Sequence, residues 1–318
     1  MSQADPLPAE FGLIARHFRP LAGPDALGLL DDAAVFAPPA GRELVVAADA
    51  MVAGVHFLPD DPPDLVGRKL LRVNLSDLAA MGAAPLGYLL TVSAPRDTPE
   101  AWFAAFAAGL AQDQAAFGLS LLGGDTTSTS GPVCLSLTIL GHVAPGCALR
   151  RAGAQAGDGI WVTGSIGDGA LGLAAAQGRL ADPNGYLLDR YRLPRPRLGL
   201  GLYGIVHAAM DVSDGLVQDI GHLCRTGGVA AEIDAAAVPL SAAARAAGPG
   251  WLRTCLTGGD DYELALAVPP EREDALRAAC AGLAVSRIGC FVAGAPGVVV
   301  RGADGAALAL GAGGWSHF

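Results

Sequence analysis

The sequence predicts two domains, each of α/β or α+β type. Three observations carry that expectation. The chain has 318 residues, a length that suits one large or two medium domains. Short apolar runs alternate with segments of helical spacing in both halves. A seam bearing Gly and Pro lies near Pro145 to Gly157. Hydrophobic residues make up 52% of the chain, enough for a sizeable core and too many for disorder.

Leu44 to Ala48 is a short apolar run ending at Asp49 and reads as a buried strand. Pro62 to Met81 reads as a helix, with Leu65, Val66, Lys69, Leu70, Val73 and Leu78 spaced along it. Leu86 to Ser93 reads as a strand. Thr98-Pro99-Glu100 is a helix start, Phe103, Phe106, Leu110, Gln114 and Phe117 follow at helical spacing, and Gly118 closes the helix. Val133 to Ile139 alternates apolar and polar positions, a strand pattern. Beyond the seam, Gly159 to Thr163 is a strand, Gly169 to Gln177 a helix, and Pro194 and Pro196 mark a turn. Met210 to Val212 reads as a strand end with a helix from Asp214 onward, and Tyr262 to Val268 and Val285 to Val292 as further strands. Asn74-Leu75-Ser76-Asp77 and Asp211-Val212-Ser213-Asp214 each put Ser-Asp at or inside an expected helix start, a hint of two related halves.

Composition removes several functions. Acidic residues outnumber basic ones, 21 − 31 = −10, which argues against a nucleic-acid partner. Lys69 is the only lysine. No G-x-x-x-x-G-K-[ST] loop and no V-A-I-K lysine is present, so P-loop and protein-kinase sites are out. Schiff-base chemistry would have Lys69 alone to use. The six cysteines form no C-x-x-C pair, and Met1 to Arg16 does not read as a signal peptide, so reduced thiols and a cytoplasmic location are expected. The longest uncharged run, Thr126 to Leu149, is broken by Gly and Pro and reads as strand plus turns, not as a membrane span.

The aspartates are the informative feature. Asp31-Asp32, Asp49, Asp77, Asp125, Asp211 with Asp214, and Asp260-Asp261 lie beside glycines or apolar residues in a chain only 16% charged. A buried lone carboxylate is costly. Short, stiff carboxylates gathered from several segments suit Mg²⁺ shared with phosphate oxygens. The plainer reading of any one of them is a helix cap or turn residue. Gly164-Ser165-Ile166-Gly167-Asp168-Gly169 follows a strand and opens a helix, so it is either a phosphate cradle or a tight turn. Arg150-Arg151 is either a phosphate clamp or a solvated pair. His56 reads as a packed or capping residue before a catalytic one, and Trp315 as a packed end or a stacking platform.

Several of these stretches together resemble the thiamine-monophosphate kinase family, of the superfamily that includes aminoimidazole ribonucleotide synthetase and selenophosphate synthetase. They are Val52-Ala53-Gly54-Val55-His56-Phe57, Val73 to Gly82 (VNLSDLAAMG), Leu122-Gly123-Gly124-Asp125-Thr126-Thr127, Asp211 to Leu216 (DVSDGL), Gly258 to Leu264 (GGDDYEL) and the terminal Trp315-Ser316-His317-Phe318. The resemblance implies an N-terminal α/β domain, residues 1–146, that binds Mg-ATP and dimerises through its strands. It implies a C-terminal α+β domain, residues 147–318, that completes the ATP and substrate site. The implied reaction is direct in-line transfer of the γ-phosphoryl of ATP to thiamine monophosphate, assisted by several Mg²⁺ ions. Asp32, Asp49, Asp77, Asp125, Asp211 and Asp214 would hold the metal, with no protein nucleophile. Gly124, Asp125, Arg151 and Ser213 would contact ATP. His56, Asp260 and Trp315 would contact thiamine monophosphate.

Three positions depart from the family pattern. Ala47-Ala48 replace Ser-Thr, Leu30 replaces Gly, and Asp260 stands where Glu is usual. The alternatives are another ATP-dependent enzyme of the superfamily, or a non-catalytic nucleotide or thiamine-phosphate binding protein. A selenophosphate synthetase would offer an early Cys with a nearby Lys, whereas no Cys here precedes Cys134.

Overall fold

The computed structural model describes residues 9–311 and 313–316; Met1 to Pro8 and the His317-Phe318 end of the terminal motif lie outside them. The chain divides into two compact units: unit 1 is residues 1–75 and 85–142, and unit 2 is residues 76–84 and 143–318.

Unit 1 holds α1 (Ala9–Leu13), β1 (Glu43–Val52), most of α2 (Pro63–Ala80), β2 (Ala84–Pro95), α3 (Glu100–Phe117), β3 (Ser120–Thr129) and β4 (Cys134–Val143). Its strands form a four-stranded sheet in the order β1-β4-β2-β3, with β3 parallel to β2. The intervening α3 is the crossover that a parallel pair requires. Gly118 ends α3 at φ 70°, as a left-handed C-cap does. Helices α2 and α3 approach so closely that a Cβ on Gly109 would meet the Asp64 carbonyl oxygen at 1.9 Å. Buried Asp113 on α3 then accepts from Arg68 Nε at 3.0 Å and Arg72 Nε at 2.6 Å on α2. On the edge strand β1, Leu44, Val46, Ala48 and Ala50 alternate with more buried residues and stay exposed.

Unit 2 holds β5 (Gly159–Thr163), α4 (Asp168–Ala176), α5 (Tyr186–Arg192), β6 (Ala208–Asp211), α6 (Leu216–Gly227), β7 (Ala230–Asp234), α7 (Ala242–Ala247), α8 (Leu252–Thr257), β8 (Leu264–Val268), α9 (Glu273–Ala279), β9 (Val285–Val292) and β10 (Gly297–Arg301). Its six-stranded sheet runs β10-β7-β9-β5-β8-β6, antiparallel except for β10 with β7. Every residue of β5 and β8 is buried, so these central strands are covered on both faces. Val162, Met210, Leu216, Ile220, Ala265 and Phe291 build the larger core.

Both units are mixed α/β, as expected, with several local differences. Asp49 lies inside β1, not at its end. Ser76-Asp77 lies near the C-terminal end of α2, not at a helix start, which removes the likeness between the two Ser-Asp motifs. Residues 120–129, rich in Gly, Ser and Thr, form a strand because β2 supplies their hydrogen bonds. The stretch around Thr126 to Leu149 is two strands and turns, and no helix among the described residues is long and apolar enough to cross a membrane.

Candidate functional site

In unit 1, three of the expected residues share one cavity. Asp32, Gly124 and Asp125 line a space of about 600 Å³, with Asp31, Phe11, Phe18, Phe36 and Leu89 among its other walls. Asp125 sits on β3 opposite Thr91 of β2, and a Cβ at Gly124 would meet the Leu90 carbonyl oxygen at 1.7 Å. Glycine there is demanded by the sheet itself, and it lets Asp125 follow on a strand pressed against its neighbour. Asp31 and Asp32 are exposed at a bend just after Leu27 and Leu29, two non-glycine residues with φ of 51° and 55°. Such backbone persists where its surroundings over-determine it, and it concentrates at functional sites. Leu30, in place of the family's Gly, is 73% exposed beside them.

Asp49 and His56 lie outside that cavity's walls. Asp49 is held through its backbone: its N–H donates to Asn74 Oδ1 at 3.2 Å, and Asn74, fully buried, donates Nδ2–H to the Leu70 carbonyl. Ala48 is exposed and Ala47 half-buried beside it. The Val52 N–H donates to His56 Nδ1 at 3.0 Å, so a neutral His56 ring carries its proton on Nε2. The buried Lys69 ammonium donates to the His56 carbonyl at 3.1 Å. The lone lysine thus fixes a loop, a role its sequence position did not disclose.

In unit 2, one loop gathers most of the other residues. Asp211 ends β6 and accepts from Ser76 Oγ at 2.8 Å. Ser213, Asp214 and Gly215 then turn into α6, and all three backbone N–H groups donate to Asp219 Oδ2 at 3.1 Å. Asp219 is buried. Burial, with Asp211 and Asp214 alongside, pushes its carboxyl up to about 8. Asp219 therefore shapes the loop that presents Ser213 and Asp214. Sequence reasoning missed it, although its place four residues beyond Gly215 in the first turn of α6 was a usable signal.

The same loop receives two further segments. The Trp315 N–H donates to the Asp214 carbonyl at 2.9 Å, and Gln218 Nε2 donates to both Asp214 Oδ2 and the Trp315 carbonyl. The Asp260 N–H donates to the Ser213 carbonyl at 2.9 Å. The Trp315 side chain remains 54% exposed, as a stacking surface must. Asp260 has φ 72°. Asp tolerates that conformation better than Glu, a local reason for the shorter acid here.

Arg151 is exposed, its carbonyl accepting from Thr226 Oγ1 at 2.8 Å. Burial, then Arg225 and Arg151, hold the His222 imidazole below its ordinary pKa. Asp214, Asp219 and His222 offer ligand atoms within 4.8 Å of one another. Asp77 is half-buried in the last turn of α2. The donors around the Ser213 loop are chiefly carboxylate oxygens, the chemistry a hard cation such as Mg²⁺ takes.

The Gly164–Gly169 motif resolves as a turn. The amides of Gly167 and Gly169 donate to the two oxygens of Asp261, so the start of α4 is filled by the chain's own carboxyl group. Burial of that carboxyl, with Asp168 nearby, pushes it up to about 8.

Residues 30–143 match the family model for AIR synthase related protein, N-terminal domain, and residues 155–301 match AIR synthase related protein, C-terminal domain. The thiamine-monophosphate kinase of Caulobacter vibrioides is 48% identical over 303 residues, 90% of this chain and 85% of that protein. The crystal structure of thiamine-monophosphate kinase from Stenotrophomonas maltophilia K279a superposes with a TM-score of 0.83 at 43% identity, covering 94% of this chain and 98% of that one. A structure of AaThiL complexed with AMPPCP and TMP superposes with a TM-score of 0.78 at 28% identity, covering 100% of this chain and 99% of that one.

Proposed function

The chain belongs to the thiamine-monophosphate kinase family, and from that premise we infer that it transfers the γ-phosphoryl of ATP to thiamine monophosphate, giving thiamine diphosphate and ADP. The observation that carries the site is the Ser213 loop. Its backbone accepts from Asp260 and Trp315, so an ATP-side residue, a metal-side carboxylate and two acceptor-side residues are knitted by hydrogen bonds of 2.9 Å.

Both reactants are anions, so charge must be neutralised before they can meet. Mg²⁺, when bound, supplies that neutralisation and aligns phosphate oxygens. Asp32, Asp49, Asp77, Asp125, Asp211 and Asp214 would hold it. Gly124, Asp125, Arg151 and Ser213 bind ATP. His56, with its proton on Nε2, and Asp260 contact thiamine monophosphate. The face of Trp315 takes the cationic thiazolium, an attraction on the order of 1 kcal/mol. No side chain forms a covalent intermediate. Positioning and charge stabilisation do the catalytic work.

Residues 1–146 form the Mg-ATP-binding domain in this reading, and residues 147–318 complete the ATP and acceptor site. The exposed apolar row Leu44, Val46, Ala48 and Ala50 on an edge strand supports a homodimer formed through β1. A cytoplasmic location goes with ATP as co-substrate. The test is Mg²⁺-dependent conversion of thiamine monophosphate by the purified chain with ATP, with free thiamine alongside. Stoichiometric ADP and thiamine diphosphate are expected. Comparable turnover of free thiamine refutes a site built for a phosphate acceptor, and ATP binding without product favours a non-catalytic binding protein.

A further inference from the structure

We propose that Asp261 and the glycine-rich start of α4 are the positioning element for Asp260, a role that rests on reading Asp260 as a contact to thiamine monophosphate. Gly164 to Gly169 has the composition of a phosphate-binding turn, yet two of its amides serve an internal carboxyl group. Gly167 N–H donates to Asp261 Oδ2 at 2.7 Å and Gly169 N–H to Oδ1 at 3.0 Å. The Asp261 carbonyl accepts from Arg190 Nη2 at 3.2 Å, so the residue is tied through both side chain and backbone. Asp261 is fully buried, and Arg190 is nearly so.

That anchoring determines what its neighbours can do. Asp260 and Tyr262, on either side, have φ of 72° and 53°. Both conformations are disfavoured for non-glycine residues and persist only where packing and hydrogen bonds impose them. Tyr262 Oη donates to Asp260 Oδ1 at 3.2 Å, which fixes one oxygen of the Asp260 side chain. The Asp260 backbone is gripped on two sides. Its N–H reaches the Ser213 carbonyl, and its own carbonyl oxygen lies 2.2 Å from where a Cβ on Gly169 would stand. Gly169 is thus a spacer whose lack of a side chain sets where Asp260 sits, and Asp261 is the pin that holds the segment there.

The experiment compares steady-state kinetics of the Mg²⁺-supplied chain and four variants: Asp260→Ala, Asp261→Asn, Gly169→Ala and the double variant Asp260→Ala/Asp261→Asn. Asp261→Asn and Gly169→Ala are each expected to raise KM for thiamine monophosphate about tenfold and leave KM for ATP within about twofold, because one substrate contact is displaced while the fold is kept. Asp260→Ala is expected to raise the same KM, and the double variant to add nothing further, as for residues acting through one another. Gly169→Ala keeps the amide that donates to Asp261 and presses on the Asp260 backbone, so it decides the matter if Asp261→Asn does not fold. A raised KM in Asp260→Ala beside parental values in folded Asp261→Asn and Gly169→Ala overturns the proposal, as does a fully additive double variant. A parental KM in Asp260→Ala overturns the underlying reading of Asp260 instead.

Discussion

Replacing Asp219 by Asn should stabilise the metal-free protein at neutral pH. Asp219 is buried, accepts three backbone N–H groups on one oxygen, and has its carboxyl raised to about 8 by burial and by Asp211 and Asp214. An unfolded Asp titrates near 3.9, by the usual reference for carboxyls, so about four pH units separate the two states. Between those values the folded chain keeps a proton that the unfolded chain releases. The group's contribution is therefore fully present below about pH 4 and is lost as pH rises towards 8, at about 1.4 kcal/mol per unit. At pH 7 the accumulated loss is on the order of 4 kcal/mol, an upper bound for one group. Asn keeps an acceptor oxygen for the three amides, turns its NH₂ towards the carboxylates, and does not ionise. Urea unfolding from pH 5 to 8 in chelator, followed by the fluorescence of Trp161, Trp251 and Trp315 in unit 2, should show Asp219→Asn above the parent at pH 7 with a flatter pH dependence. Asp219→Ala leaves three donors without their acceptor, at about 1–3 kcal/mol each, and should fall below Asn at every pH. Parallel pH dependences for parent and Asp219→Asn would refute this reasoning.

Further outcomes follow from other parts of the molecule. Asp49→Asn and Asp125→Asn should each abolish turnover with an unchanged circular dichroism spectrum; full activity in both would remove them from the metal site. Asp113→Ala should lower the stability of unit 1 by about 3–5 kcal/mol in urea, since it strands Arg68 and Arg72 at a buried pair. Val46→Glu on the exposed row of β1 should yield a monomer by light scattering, and a persistent dimer would place the interface elsewhere. Trp315→Ala should raise KM for thiamine monophosphate about fivefold, as the loss of about 1 kcal/mol of cation–π attraction implies, with KM for ATP unaffected.

The parts legible beforehand were those whose signals are local. Gly159–Thr163 and Val285–Val292 are strands at the boundaries their apolar runs mark, and Gly118 stops α3 where its conformational freedom says it should. What escaped was non-local. Residues 120–129 become a strand only because β2 lies alongside, and Gly124 is compelled by the Leu90 carbonyl across that pair. The aspartates stood out in the sequence, but their division of labour did not. Asp260 and Asp261 are adjacent and chemically identical, yet one is bonded to the Ser213 loop and the other is buried at the start of α4. That difference comes from φ values and burial, which tertiary structure sets. Asp219 escaped for the same reason, since its amide partners are ordinary backbone.

The burial of Lys69 has a consequence for anyone handling the protein. The chain carries no other side-chain amine, and this one is sequestered inside unit 1. Amine-directed cross-linkers, acylating reagents and biotin esters therefore find no lysine on the folded surface. Attachment at Lys69 requires α2 to come away from the loop it holds, so the rate of that attachment reads the opening of unit 1. The mass increment on the peptide that carries Lys69 then works as a clock for local unfolding, with no engineered probe.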